Sequence, residues 1–172
     1  GLVQQKPYDS KHVSRQALKY PNLTKVINLY LKSQIGDKQM SWTSFALNRN
    51  LTCRRHRDTG NNGISAFAAF GPFYGGQLAC WMNDDRKQKL STLSLQDAWV
   101  KGTNQVQYFD GRQAHQTMPF CGERVSIVWY EHSCWSKGGT ALGAELETLE
   151  FGVGPYTPFI TEIPLMSAGD FS

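Results

Sequence analysis

Long apolar stretches are missing from this sequence. None approaches the roughly 20 residues that a membrane-spanning helix needs, so we expect no transmembrane segment. No secretory signal is recognisable at the N-terminus, which leads us to expect an intracellular protein. Cysteine is also scarce, and the four cysteines are too widely spaced for a disulfide framework: Cys53, Cys80, Cys121 and Cys134. We therefore expect reduced thiols.

A strong charge of either sign is absent as well. Only 19% of the 172 residues are charged, and the net charge is +4. A mild positive excess permits a polyanionic partner without requiring one. The length suits one compact domain over residues 1–172, and we find no internal repeats. We divide it into a helical N-terminal support (1–40), a core region (41–135) and a C-terminal extension (136–172).

The N-terminal quarter carries the only long helical pattern. The first ten residues look irregular, and the pattern from about Lys11 to Gly36 is helical. Within it, apolar residues recur at helical spacing: Leu23, Val26, Ile27 and Tyr30. This spacing predicts a helix whose apolar face packs against a sheet.

After Met40 the sequence changes to short apolar stretches separated by turn residues. We predict strands at 41–50, 51–56, 64–70 and 75–81, another around Val106 and Tyr108, a loop at 83–89, and a short helix at 144–150. In the clearest alternating stretch, Val125, Ile127 and Trp129 should point into the core while Arg124 and Ser126 face a cavity. Many short strands predict a mainly β sandwich or barrel.

One segment contains a candidate metal-binding pair. His56 and Asp58 are two residues apart, so in an extended chain they project to the same side and can reach one ion. His115 lies 57 residues after Asp58 and supplies a second imidazole. Two histidines and one carboxylate form the facial triad of non-haem iron(II) oxygenases. The alternative is a surface H-x-D with an unrelated histidine.

Zinc is the competing metal, because Cys53 and His56 have a C-x-x-H spacing. Structural zinc sites need four ligands, and no second pair at zinc-finger spacing follows. The sequence therefore favours iron.

The segment Arg124-Val125-Ser126 completes a wider pattern. A guanidinium can bind a carboxylate through two parallel hydrogen bonds, and the serine hydroxyl adds another donor. The order H-x-D…H…R-x-S resembles that of the iron(II)/2-oxoglutarate dioxygenases. This resemblance implies a double-stranded β-helix (jelly roll) with N-terminal helices packed on one sheet. It also implies Fe(II) on His56, Asp58 and His115, 2-oxoglutarate held by Arg124 and Ser126, and O2 as the oxidant that converts a C–H bond to an alcohol.

A narrower resemblance concerns the substrate. His56-Arg57-Asp58-x-x-Asn61 is similar to the H-R-D-x-x-N of the TET/JBP group, which oxidises the methyl group of modified bases in DNA. It implies that Asn61 contacts an extruded base, and that His132, eight residues after Arg124, does so too. DNA containing 5-methylcytosine would then be the partner, and the location nuclear. The resemblance covers about residues 41–135; the cysteine-rich region and long insertion of TET proteins have no counterpart.

Basic residues crowd this stretch: Arg54, Arg55, Arg57 and, further on, Arg112. Solvated charges on a turn are one interpretation. The other is that they neutralise phosphates beside an extruded base, with Arg54 and Arg57 as the substrate contacts.

Other substrates and functions stay open from the sequence. The element Gly75-Gly76-x-Leu78 resembles prolyl-hydroxylase-like relatives equally well. In that case the substrate would be a protein side chain. A third interpretation is an inactive jelly-roll binding module, against which the intact triad argues. Phe73, Tyr74 and Trp81 either stack on a base or pack in the core.

Overall fold

Antiparallel strands dominate the computed structural model, which describes residues 1–5, 10–35, 40–135 and 140–153. The strands are β1 (Leu2–Gln5), β2 (Ser10–Val13), β3 (Ser44–Arg49), β4 (Asn61–Phe70), β5 (Phe73–Gly75), β6 (Leu78–Cys80), β7 (Trp99–Lys101), β8 (Gln107–Phe109), β9 (His115–Thr117), β10 (Phe120–Gly122) and β11 (Val125–His132). The helices are α1 (Arg15–Lys19), α2 (Pro21–Ile35) and α3 (Thr140–Thr148), with 3-10 turns at Leu90–Thr92 and Leu95–Asp97. The prediction of a mainly β protein is confirmed.

The strands form two larger sheets and two two-stranded sheets. The four-stranded sheet has the order β3–β11–β4–β8, and the three-stranded sheet has the order β7–β6–β9. Strands β10 and β5 form one pair, and β1 and β2 the other. Every pairing is antiparallel. Strand β11, the last strand among the described residues, lies between β3 and β4 in the four-stranded sheet.

Two apolar clusters lie on opposite faces of the four-stranded sheet. One contains Phe67 and Phe109 from that sheet together with Leu78 and Cys80 from the three-stranded sheet. The other combines residues of α2, β4, β11 and the end of α3: Ile27, Leu31, Ile35, Ala66, Ala68, Ile127, Trp129, Leu146 and Leu149. None of the helices in the described part of the chain is long and apolar enough to cross a membrane.

The N-terminal prediction was wrong in two places. Leu2–Gln5 is a strand, although the sequence looked irregular there, and it pairs with Ser10–Val13, which we had assigned to the helix. The helical region begins only after Ser14, whose hydroxyl accepts a hydrogen bond from the main-chain N–H of Ala17. The predicted stop at Gly36 lies outside the described residues.

The apolar face predicted for α2 is only partly buried: Ile27 is in the core and Tyr30 packs against it. Leu23 and Val26 are 51% and 63% exposed, whereas Asn28 is completely buried. Asn28 donates to the carbonyl oxygen of Leu149 at 2.8 Å and accepts from the Trp42 indole N–H at 3.0 Å. Because both ends of this amide have partners, a polar residue is stable in the core and the buried face is rotated relative to the prediction.

Strand β11 is also buried differently from the prediction. Ile127 and Trp129 are in the core as expected, but Val125 is only half-buried, and Ser126 on the other face is buried. An apolar layer covers each side of the strand, so no face is open. The predicted strand at 51–56 does not form; its last residue, His56, makes only an isolated bridge to His115.

Candidate metal centre

Three side chains from distant parts of the chain converge. One ligand atom from each of His56, Asp58 and His115 lies within 4.8 Å of the other two. The Nε2 atom of His56 is 3.5 Å from one Asp58 oxygen, and that of His115 is 3.8 Å from the other. His115 is buried, while His56 and Asp58 are half-exposed, so the group faces solvent on one side.

Main-chain hydrogen bonds hold the three residues together. His56 and His115 each donate an N–H to the other's carbonyl oxygen at 3.0 Å. Two residues later, the N–H of Asp58 donates to the carbonyl oxygen of Gly111 at 2.8 Å, in the turn between β8 and β9. These backbone hydrogen bonds fasten the H-x-D segment directly to the His115 segment and to the turn before it.

Both imidazoles present the same nitrogen to the centre. Nδ1 of His56 lies 2.7 Å from the carbonyl oxygen of Arg54, and Nδ1 of His115 lies 2.9 Å from that of Gln113. A carbonyl oxygen only accepts hydrogen bonds, so each Nδ1 carries the proton. Each Nε2 is left as the potential metal ligand, in the arrangement that usually fixes the tautomer of metal-bound histidines.

The pKa values of the two histidines shift in opposite directions. The hydrogen bond that His56 donates to Asp58 raises the pKa of His56 above its ordinary value. Burial lowers the pKa of His115, which therefore favours the neutral form that binds metals.

The Asp58 carboxylate is held from its other side by Asn61 and Gly111. The Asn61 amide donates to Oδ2 of Asp58 at 2.7 Å. A Cβ placed on Gly111 would lie 2.7 Å from that same oxygen and 2.8 Å from the Asn61 nitrogen. Any larger residue at position 111 must therefore displace the carboxylate or the amide, and this is the reason for glycine here.

Arg124 is a buried cation without a matching anion. It is 1% exposed, and the rings of Phe67, Phe73 and Phe120 lie 5.3–5.6 Å from its guanidinium carbon. One nitrogen donates to the Gly76 carbonyl oxygen at 3.1 Å, but Nε has no hydrogen-bond partner among the described residues. Burial lowers its pKa.

No described carboxylate forms an ion pair with Arg124. The adjacent Glu123 pairs with Arg49 at 2.9 Å instead. Ser126 is buried two residues after Arg124, and Cys53, three residues before His56, is close enough to interact electrostatically with Arg124. A buried guanidinium is stable only with a counter-ion or a full set of hydrogen bonds, and the described residues leave Arg124 without either.

The two candidate base-reading residues are neighbours. Asn61 and His132 face each other in the register of β4 and β11. Nδ1 of His132 accepts a hydrogen bond from the Cys134 N–H at 3.2 Å, and burial lowers the pKa of His132. Since Asn61 also touches Asp58, the pair lies next to the metal ligands.

The four candidate arginines have different surroundings. Arg57 makes a bidentate pair with Asp84, with both distances 2.7 Å, and Arg112 pairs with Asp110 at 2.8 Å. Arg55 lies over the Trp81 ring at 4.2 Å and donates to the Leu90 carbonyl oxygen at 2.8 Å. Arg54 is exposed. Of the four arginines proposed from the sequence to contact phosphates, Arg54 is therefore the one that presents its charge to solvent.

Two of the three candidate stacking aromatics are in the interior. Trp81 is 2% exposed and donates its indole N–H to the Ser94 carbonyl oxygen at 2.6 Å. Phe73 packs near Arg124. Only Tyr74, at 85% exposed, presents its ring to solvent.

Sequence reasoning missed three residues around the centre. Asp84 lay in a segment assigned as a polar loop, and Gly111 was assigned only as a turn residue. Tyr130 lies near enough to Asp58 for its charge to contribute, after burial, to a raised tyrosine pKa. The one sequence feature that pointed to any of these residues was the Asp110-Gly111 turn dipeptide shortly before His115.

A cavity of about 260 Å³ lies elsewhere in the protein. Its walls include Tyr30, Phe70, Phe73, Thr103 and Gln105, and none of the predicted site residues lines it. We therefore place the chemistry at the histidine–aspartate group, which opens to solvent, and not in this cavity.

The donor set fits a divalent first-row metal with open coordination positions. Two neutral imidazole nitrogens and one carboxylate converge from one side, as in the facial arrangement used by non-haem iron(II). The four free cysteines, Cys53, Cys80, Cys121 and Cys134, are not part of this group.

Comparisons with known proteins give a distant structural likeness and no sequence match. No protein-family model matches the chain, and no curated protein matches its sequence. Among solved structures it is similar to NgTET1 in complex with 5mC DNA, with a TM-score of 0.48 and 16% sequence identity. The match covers 77% of this chain and 59% of that one, so this chain spans less than two thirds of its length. The functional argument therefore depends on the site residues.

Proposed function

We propose that this protein is an Fe(II)- and 2-oxoglutarate-dependent dioxygenase that hydroxylates the methyl group of 5-methylcytosine in DNA. The observation that carries the proposal is the convergence of His56, Asp58 and His115, with both Nε2 atoms turned towards the Asp58 carboxylate. Bound Fe(II) would supply the oxidation of a C–H bond to an alcohol, with conversion of 2-oxoglutarate and O2 to succinate and carbon dioxide.

In this proposal Arg124 and Ser126 bind the distal carboxylate of 2-oxoglutarate. The buried guanidinium without a counter-ion supports this role, because a dianionic cosubstrate would provide the missing charge and a partner for Nε. The aromatic rings around Arg124 exclude water and strengthen the ion pair.

We also propose that the two larger sheets belong to a double-stranded β-helix, braced on one side by α2. Support comes from the apolar cluster between the sheets and from the second cluster, which α2 shares with β4 and β11. In this arrangement the metal ligands lie beside the three-stranded sheet, because His115 begins β9.

The proposed base contacts are Asn61 and His132. Their cross-strand pairing and the hydrogen bond from Asn61 to Asp58 would bring a base close to the metal. His132 is the cleaner test of base reading, since a change at Asn61 also disturbs Asp58.

Phosphate contacts would come from Arg54 and from the loop after β6. In that loop Arg86, Lys87 and Lys89 are exposed, and none forms an ion pair with a described carboxylate. The loop is near the centre because the Gln88 carbonyl oxygen accepts a hydrogen bond from Arg57. Arg57, paired with Asp84, then has a supporting role rather than a direct substrate contact.

The test is succinate release with Fe(II) and 2-oxoglutarate in the presence of methylated duplex DNA, unmethylated duplex DNA or a proline-rich peptide. Mass spectrometry of each recovered substrate shows whether an oxygen atom was added. We expect stimulation by methylated DNA alone, with one added oxygen on the base. Stimulation by the peptide, with oxygen on proline, would replace the DNA proposal with a protein hydroxylase.

Two variants distinguish metal binding from base recognition. Asp58→Ala should abolish succinate release with every substrate. His132→Ala should retain the slow succinate release seen without substrate but lose the stimulation by methylated DNA. Wild-type stimulation in His132→Ala would remove that residue from base recognition, and persistent turnover in Asp58→Ala would overturn the metal assignment.

A further inference from the structure

A buried carboxylate outside the metal group connects the two segments that carry its ligands. Asp84 follows β6, and its side chain is completely buried. It accepts four hydrogen bonds: from Arg57 Nε and Nη2 at 2.7 Å each, from the Ala114 N–H at 2.7 Å and from the Arg86 N–H at 3.0 Å.

The donors have a specific relation to the metal ligands. Arg57 lies between His56 and Asp58, and Ala114 immediately precedes His115. In an extended segment alternate side chains point to opposite sides, so Arg57 points away from the direction of its two neighbours. Fixing Arg57 on Asp84 therefore also fixes the side to which His56 and Asp58 project.

An ionised aspartate suits this position for a chemical reason. A carboxylate is an acceptor at both oxygens and can receive several donors, including the two parallel N–H groups of a guanidinium. The Ala114 N–H is in a completely buried residue and needs an acceptor. An asparagine would offer one acceptor atom and place an amide N–H against donors.

We propose that Asp84 is a positioning residue for the metal centre: through Arg57 and Ala114 it sets the spacing and orientation of the His56–Asp58 and His115 segments. The inference rests on the proposed function, since it assumes that these three residues bind the metal. Asp84 touches neither metal nor substrate. Its contribution is to keep the three donors in place before the metal arrives, which lowers the cost of binding.

The experiment measures Co(II) binding by the folded protein, using calorimetry for affinity and the visible absorption spectrum for coordination geometry. Asp84→Asn should bind Co(II) about 10- to 100-fold more weakly, the range typical of lost outer contacts to metal ligands. Its spectrum should also change. Asp85→Asn is the matched control, because Asp85 is the adjacent carboxylate but is exposed. It should bind like wild type.

Arg57→Lys provides a second route if Asp84→Asn does not fold. Lysine keeps the charge but loses the two-pronged contact, so Co(II) affinity should again fall while the Asp84 contacts to Ala114 and Arg86 remain. Wild-type affinity and spectrum in the folded variant, with only a lower melting temperature, would overturn the inference and leave Asp84 a general stabiliser.

The Asp58→Ala variant distinguishes this failure from failure of the proposed function. If wild type and Asp58→Ala bind Co(II) equally, the metal centre itself is wrong. If Asp58→Ala loses binding while Asp84→Asn and Arg57→Lys retain it, only the positioning role fails.

Discussion

His56 and His115 are direct partners in an isolated antiparallel bridge, and their ring centroids are 4.2 Å apart. Each main chain donates to the other, so the backbone sets the spacing of the two imidazoles. A hydrogen bond from each Nδ1 to a main-chain carbonyl oxygen then orients each ring. This makes the pair a preformed half of a metal site.

Metal binding should stabilise the folded protein, and Asp58 should be essential for that effect. A ligand present at about 100 times its dissociation constant adds about 2.7 kcal/mol to the free energy of unfolding. Thermal melts with and without Mn(II) or anaerobic Fe(II) should show this shift in wild type and in the exposed control Asp97→Ala. Asp58→Ala should lose it; an equal shift in all three proteins would contradict the triad.

Metal affinity should depend on the protonation of His56. Its hydrogen bond to the Asp58 carboxylate raises its pKa, so protons compete with the metal at a higher pH than for an ordinary histidine. As pH falls through that pKa, Co(II) affinity should drop about tenfold per pH unit for one displaced proton. Titrations from pH 8 to pH 5.5 test this. His12→Gln, in an exposed position on β2, should keep the wild-type profile, and a flat profile would exclude proton competition.

Replacing Arg124 should separate stability from cosubstrate binding. Arg124→Met removes a buried cation without a counter-ion, so the unfolding free energy should stay unchanged or rise by about 1–2 kcal/mol. Affinity for 2-oxoglutarate should fall at least about 30-fold, because losing one partner of a buried charge pair costs about 2–5 kcal/mol. Urea unfolding and calorimetry with Mn(II) measure the two effects. Arg49→Met, at an exposed ion pair, should alter neither greatly; wild-type affinity in Arg124→Met would place the anion elsewhere.

Gly111→Ala should damage the metal centre without changing a ligand. Its Cβ would meet the Asp58 oxygen and the Asn61 nitrogen at under 3 Å. We expect Co(II) affinity to fall about 10- to 100-fold, since these are contacts that orient a ligand. Gly102→Ala is the control, because nothing lies within 4 Å of a Cβ there. Similar affinities for the two variants would mean that the turn accommodates the methyl group.

Acid should weaken the fold partly through Asp84. The pKa of Asp84 is lowered from 3.8 to about 2, and the largest cause is its hydrogen bonding to Arg57. Because the folded-state pKa is the lower one, its stabilisation is fully present above about pH 4 and is lost as pH falls through 2. That shift corresponds to about 2 kcal/mol. Between pH 5 and pH 2, urea unfolding should show that much extra loss for wild type relative to Asp84→Asn. Asp97→Asn should follow wild type, and parallel losses in all three would rule out this linkage.

The His56–Asp58 pair of the metal group could be predicted because its sequence pattern is local. His56 and Asp58 are two residues apart, and a spacing of two has a fixed meaning in an extended chain. Asp84 could not be predicted in the same way, since its partners Arg57 and Ala114 are 27 and 30 residues away and an acidic loop residue is usually solvated.

The buried faces of α2 and β11 show a second limit of prediction from sequence, because apolar spacing alone did not identify every buried residue. Apolar spacing selected Leu23 and Val26, but Asn28 took the core position because Leu149 and Trp42 satisfy its amide. In β11, alternation predicted one buried side. Residues from β4, β6 and β8 cover the second side. The sequence of β11 alone does not indicate that these strands pack there.

The position of β11 in the chain has a consequence during synthesis on the ribosome. Among the described strands, β3 pairs only with β11, so β3 must wait about 80 residues for its partner. Until then it is an open strand edge, and nascent chains of this kind fold slowly and benefit from chaperones. Arg124 immediately precedes β11. The residue proposed to anchor the cosubstrate is therefore fixed in place only when the sheet closes, after the segments that carry His56, Asp58 and His115 have been made.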